Sequence, residues 1–349
     1  MQYSDARRYL GNSKQLFRAE EYRLVGGKGD GMRMFSVRNG AEMEFVCSAD
    51  RGMDLHYLRC KGHSLGFLTS AGDVAPQYYD DRGLGWLRSF TAGFMSTCGP
   101  VNIGAPDAWR GWERGLHGRA SNTPAEEAGL QVDETPDGTS ATLRGVLRET
   151  IPGQEHLKLT RVIRTEYASP CIHIRDTVLN CGRQKSLHMM LYHFNLGYPL
   201  LSEQTELRLP TRRVTPRDAE AAAQPELWSR LTPPEDGSPE RCDYHDLASA
   251  PDGKTFVATY QPALDIGVAI HFDRTVLDHF VQWRQTATGY YVMGLEPCNA
   301  TIDGIADAQA NGSAKYLEPD QSVTYDLTIE LLSSRDSFER LRAAAAQLR

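Results

Sequence analysis

The feature that most constrains this chain is a strict two-residue rhythm near its end. Val323, Tyr325, Leu327, Ile329 and Leu331 alternate with Thr324, Asp326, Thr328 and Glu330. Successive side chains of an extended strand point to opposite faces, so this pattern describes a strand with one apolar and one polar face. Weaker versions recur at residues 33–38, 42–47, 141–149, 172–179, 255–260, 266–272 and 290–295. Turn residues punctuate them at Asn39-Gly40, Pro136-Asp137-Gly138, Pro251-Asp252-Gly253 and Asn311-Gly312. Many short strands with turn signals between them predict an all-β, mostly antiparallel sandwich rather than βαβ units. Helices are few: one over 336–349, with Phe338, Leu341 and Ala345 on one face, and a short one near Asp5–Leu10.

Two regions lack the rhythm. Residues 70–125 are crowded with Gly, Pro, Trp and Asp, and residues 210–253 with Pro, Ala and Glu. The second is read as a long excursion across one end of the sandwich, and long loops of this kind are usually functional or mobile. With no repeat and no linker, the 349 residues are read as one domain with an N-terminal extension of about 1–20.

Composition excludes several classes of function. The net charge is −7 and no basic cluster can track a phosphate backbone, so nucleic acid is not an expected partner. The seven cysteines are irregularly spaced, without a Cys-x-x-Cys pair, which fits a reducing compartment. No run approaches the ~20 apolar residues needed to span a bilayer, and the N-terminus lacks the apolar core of a signal peptide. A cytoplasmic chain without a membrane partner is expected; oligomeric state is unreadable. Gly26-Gly27-Lys28-Gly29-Asp30-Gly31 is followed by another strand pattern, so it reads as a hairpin turn and not as a phosphate loop, which would open a helix. His188 and His193 lie five apart and His56 and His63 seven, so neither pair shares a strand face, and no metal is assigned.

Four segments place ionisable groups beside apolar runs: Asp50-Arg51-Gly52-Met53-Asp54, Leu116-His117-Gly118-Arg119, Tyr192-His193-Phe194-Asn195-Leu196-Gly197 and Gly294-Leu295-Glu296-Pro297-Cys298-Asn299. Glu296 ends an apolar strand, where partial desolvation would raise its pKa and make it a better base. A strand-end Glu paired with a surface Arg fits the same sequence. Leu191, His193 and Asn195 would share one strand face, with Tyr192, Phe194 and Leu196 on the other. That arrangement suits a site wall, or a buried histidine bonded to backbone. His117 and Arg119 would share a face able to hold hydroxyls or an anion, and Trp283 could stack on a sugar ring or belong to the core.

The order Leu116-His117-Gly118, Phe194-Asn195-Leu196 after a histidine, and Gly294-Leu295-Glu296 resembles aldose 1-epimerases, the galactose mutarotases. With Asp50 to Asp54 and Glu296-Pro297 added, the chain is similar to a little-characterised branch of that superfamily over roughly residues 20–332. The resemblance implies a galactose mutarotase-like β-supersandwich, a monosaccharide or sugar-acid ligand, and acid–base ring opening without cofactor. It makes Glu296 the base at the anomeric hydroxyl, His193 the acid at the ring oxygen, and His117 a substrate-binding histidine. Arg51, Arg119, Asn195, Trp283 and Asn299 are placed in the same cleft. One departure stands out: the histidine of ordinary mutarotases lies four residues before the asparagine, where this chain has Leu191. His193, two residues before Asn195, keeps the same face, whereas His188 would need a bulge to do so. The shift leaves room for epimerisation at another carbon, for sugar binding without turnover, or for a sugar phosphate clamped by Arg51 and Arg119.

Overall fold

The computed structural model describes residues 3–348. Three antiparallel sheets carry the architecture. The first has five strands in sequential order from Arg18–Arg23 to His63–Ser64. Its first hairpin turns through the glycine-rich segment, as the sequence predicts. The second sheet has eight strands. It runs sequentially from Glu126–Glu134 to Cys171–Asn180, then takes in Ser322–Leu332, Ile266–Asp273, Lys254–Gln261 and Glu206–Arg208. The third has six strands in the order Thr211–Pro216, Arg241–Leu247, His279–Ala287, Tyr290–Cys298, Leu191–Gly197 and Met95–Cys98. Every strand read from alternation lies in one of these sheets. Alternation holds best where one face meets solvent: in Ser322–Leu332, Tyr325, Leu327, Ile329 and Leu331 are buried while Thr324 and Asp326 are exposed.

Three readings need correction. The stretch 210–253 is not all excursion, because it supplies two strands of the third sheet around a short helix, Ala219–Ala223. The first of them, Thr211–Pro216, lies at the sheet edge and carries Arg212, Arg213 and Pro216, where apolar alternation is not required. The C-terminal helix spans Arg335–Ala345, capped by Ser334, and buries Phe338 and Leu341 as its spacing implies. The N-terminal helix is Tyr3–Arg7, tied down by the Tyr3 hydroxyl donating to Glu134 (3.2 Å).

One apolar core is continuous through all three sheets, with Phe45 and Leu55 from the first, Ile163 and Ile174 from the second, and Phe194 and Leu295 from the third. At its centre sits a fully buried cation. Arg161 donates to both oxygens of Asp176 (2.9 and 2.6 Å) and to Asp54 (2.9 Å), and the Tyr192 hydroxyl donates to Asp176 (2.7 Å). Asp54 also accepts from the Thr97 backbone N–H (2.9 Å). Arg161 and Asp176 belong to the second sheet, Asp54 to the first, and Thr97 and Tyr192 to the third, so one hydrogen-bonded ion cluster fixes their mutual positions. Removing one member of such a cluster leaves uncompensated charge in the core. Arg161→Met is therefore expected to destabilise the fold by about 3–5 kcal/mol, read as a lower urea midpoint.

Candidate active site

The third sheet sets the site. Leu191–Gly197 and Tyr290–Cys298 run antiparallel with Asn195 opposite Gly294 and Leu191 opposite Cys298, and this register puts His193 across from Glu296. On the other side of Tyr290–Cys298, Val281 pairs with Glu296 and Trp283 with Gly294. His193, Asn195, Glu296 and Trp283 thus share one sheet face, while Tyr192 points the other way into the ion cluster. The two residues predicted to act together meet directly: His193 Nε2 lies 3.2 Å from Glu296 Oε1. The carboxylate folds back over Gly294, where a Cβ would stand 2.2 Å from Glu296 Oε1 and 3.3 Å from His193 Cε1. Only glycine leaves room for that rotamer.

Aromatic rings wall the pair. The His193 ring centroid is 5.5 Å from Trp283, 5.6 Å from His117 and 5.8 Å from Phe90. Trp86 stacks on Phe90 at 4.4 Å and tilts against His117 at 4.6 Å. The side chains of Glu296 and His193 are only 2% and 6% exposed. Burial pushes the Glu296 carboxyl up to about 8, opposed by the charge of Arg217 and reinforced by Glu240. Burial drives His193 down to about 4, opposed by the Asn195 amide. His117 is lowered well below an ordinary imidazole by burial and by the His193 and Arg217 charges. Its φ of +59° and the +70° of Gly118 turn the chain sharply, and its Nδ1 accepts from the Gly104 N–H at 3.3 Å. His193 Nδ1 and Asn195 Oδ1 are buried without a hydrogen-bond partner among the described residues, and Glu296 Oε1, though 3.2 Å from His193 Nε2, is not in hydrogen-bond geometry with it.

The other predicted residues divide. Asn195 lines the same face, its amide donating to Ala92 O (3.2 Å) and His193 O (2.9 Å). Trp283 forms the half-buried rim, with Nε1 donating to Glu240 (3.0 Å). Arg51, by contrast, donates to the backbone carbonyls of Ser121, Val74 and Ser89 (2.5–2.8 Å), clamping loops together. Asn299 accepts from the Met190 N–H (2.7 Å) and donates to Tyr325 (3.1 Å), on the core side. His188 also bonds Tyr325 (2.7 Å) and the Pro100 carbonyl (3.1 Å), leaving His193 alone beside Glu296. The turn at His117 and Gly118 separates His117 from Arg119, which lines a different cleft. Arg51 and Arg119 therefore do not form a phosphate clamp at the pair.

Sequence reasoning missed Arg217, whose Nε donates to Asp303 (2.7 Å), and Tyr244, whose hydroxyl donates to the other oxygen of Asp303 (2.6 Å). It also missed the Trp86 and Phe90 cover. Tyr244 lies on the strand Arg241–Leu247, inside the stretch read as an excursion, and nothing in the surrounding sequence singles out Arg217.

The whole architecture has solved counterparts. A crystal structure from Klebsiella pneumoniae, described as a candidate aldose 1-epimerase, superposes with a TM-score of 0.91 at 26% identity, over 97% of this chain and 90% of that one. A galactose mutarotase-like protein from Clostridium acetobutylicum matches at TM-score 0.64 and 12% identity, over 91% of this chain and 99% of that one. Galactose 1-epimerase from Lactobacillus acidophilus matches at 0.57 and 11%, over 90% and 98%. No curated protein matches in sequence. The galactose mutarotase-like fold is thus established, and with a family model covering residues 29–331, the chain belongs to the family described as a domain of unknown function, DUF4432.

Proposed function

We propose that this protein is a sugar epimerase of the aldose 1-epimerase type, opening a monosaccharide ring by proton transfer between Glu296 and His193. The observation that carries the reading is the direct contact of those two side chains at 3.2 Å, in an aromatic-walled site. Burial favours the neutral form of each group, so the pair holds one proton across the neutral range. Moving that proton from carboxyl to imidazole creates a base and an acid without changing total charge. The Glu296 carboxylate then takes the anomeric O1 proton while His193 delivers its proton to the ring oxygen. The C1–O5 bond breaks, C1 becomes an aldehyde, rotation about C1–C2 presents its other face, and closure reverses the transfers. His117 and Arg217 are suited to hold hydroxyls, and Trp283 at the rim to receive the apolar face of a sugar. Both side chains are buried, at 2% and 6% exposure, so a sugar reaches them only when a surrounding side chain moves.

Glu296→Gln and His193→Ala are each expected to slow anomer exchange ~10²–10⁴-fold, measured by magnetisation-transfer NMR over pentoses, hexoses and uronic acids. A clean wild-type protein that accelerates none of them would refute the reading.

The same pair fixes the pH response. Only the one-proton form has both acid and base, so the rate is expected to fall as pH rises through about 8 and as it falls through about 4. A flat profile across those limits would exclude the pair as the proton carriers.

Stability follows a related rule. The folded state holds Glu296 protonated above its unfolded value, so its contribution is complete below about 4.5 and lost as pH rises through about 8. Glu296→Gln cannot ionise, and it is expected to raise Tm more at about pH 9 than at about pH 5, as checked by scanning calorimetry.

A further inference from the structure

Behind the turn that carries His117 lies a second cleft, of about 110 Å³, with Gly118 in the shared wall. Glu149 faces it from the strand Thr139–Thr150, and Arg119, Arg114, Asn102, Asp81 and Trp112 surround it. Glu149 is only 7% exposed, and among the described residues no hydrogen bond reaches its carboxyl. Asn102 Oδ1 and Arg114 Nε are likewise buried and without partners. Trp112 is 50% exposed on the hairpin formed by Asp107–Trp109 and Trp112–Arg114. Arg114 is neutralised behind the cleft by Glu155, and Arg119 faces Asp81 at 3.8 Å. Burial raises the Glu149 carboxyl to about 7, opposed by Arg119 and Arg114.

An unpaired polar group held in a nearly dry site costs about 1–3 kcal/mol, and the cleft lining holds two of them, Asn102 Oδ1 and Arg114 Nε, beside the Glu149 carboxyl. The charges decide what can satisfy them. Carboxylates at Asp81 and Glu149 oppose an anion, and the two guanidinium groups oppose a metal or an organic cation. A neutral ligand with several donor-acceptor hydroxyls meets both kinds of partner: its oxygens accept from the arginines and its protons go to Glu149 and Asn102. An exposed indole beside this set offers the apolar platform on which a sugar ring packs. We infer that this cleft is a second binding site for a neutral saccharide unit, back to back with the Glu296–His193 site and independent of its chemistry.

The test uses saturation-transfer NMR on Glu296→Gln protein with D-glucose, D-galactose, D-xylose, L-arabinose, lactose and maltose, and with inorganic phosphate and D-glucuronate as charged controls in competition. At least one neutral saccharide is expected to bind, and both Trp112→Ala and Glu149→Gln are expected to weaken that binding at least tenfold. Trp112 is exposed and Glu149→Gln is isosteric, so at about pH 5, below the raised Glu149 pKa of about 7, a nearly unchanged Tm and near-ultraviolet circular dichroism are expected to accompany the loss. Binding unaffected by both variants, displacement by phosphate or glucuronate, or no binding by any of the six sugars would overturn the inference. In the wild-type background the two variants are expected to leave any anomer exchange within about twofold. Failure of the epimerase reading therefore leaves this one standing, and the reverse also holds.

Discussion

The ion cluster around Arg161 is the constraint on which the rest of the molecule depends. A guanidinium with no exposed surface is tolerable only because Asp176, Asp54 and two backbone carbonyls, of Gly52 and Met53, surround it. Those partners come from two sheets, and Tyr192 adds the third. Hydrophobic burial alone would let the sheets slide over one another, since packing is non-directional. The cluster has only one geometry that satisfies its donors, and it selects one arrangement of the sandwich.

Its consequence for the site follows from strand geometry. Tyr192 is locked on the core side, so its neighbour His193 must project from the opposite face, at a depth fixed by the Tyr192 hydroxyl bond. The pairing of Leu191–Gly197 with Tyr290–Cys298 then delivers Glu296 to the imidazole, and Gly294 supplies the space into which the carboxylate folds. The segment from Asp50 to Asp54 serves this frame rather than the cleft. Asp50 holds Arg33 (2.6–2.9 Å), Arg51 gathers three loops, and Asp54 completes the cluster.

Legibility from the sequence tracks exposure. Strands with one wet face announced themselves by alternation, and the one-sided helix at the end did the same. Leu191–Gly197 is buried throughout, so its sequence has no hydrophobic rhythm, yet the placing of His193 and Asn195 on one face was still readable because period two is a property of the backbone. The edge strand Thr211–Pro216 was missed because nothing demands an apolar face there, and the interior strand Arg241–Leu247 because it buries the polar Asp243 and His245. Arg119 illustrates a further limit. Two-residue spacing places side chains together only in an extended chain, and the positive φ values at His117 and Gly118 send Arg119 to the far side of the turn. Arg51 and Asn299 show the remaining difficulty, since a polar residue within an apolar run can equally be a site residue or a core tie.

What separates those two roles is visible only once partners are counted. Arg51, Asn299, Asp54 and Asp176 are buried and accounted for by hydrogen bonds, so nothing is left over for a ligand. Glu296, His193 and Asn102 keep buried polar atoms that no partner meets, and no hydrogen bond among the described residues reaches the half-neutralised Glu149 carboxyl. Leaving each one unmatched costs about as much as a good hydrogen bond contributes, and a marginally stable fold carries few such groups. Both carboxyls are also pushed toward neutrality by burial, which keeps their protons available near physiological pH. Paired, a buried charge organises the sandwich; unpaired, it marks where a polyhydroxylated molecule can complete the hydrogen bonds that the chain itself leaves open.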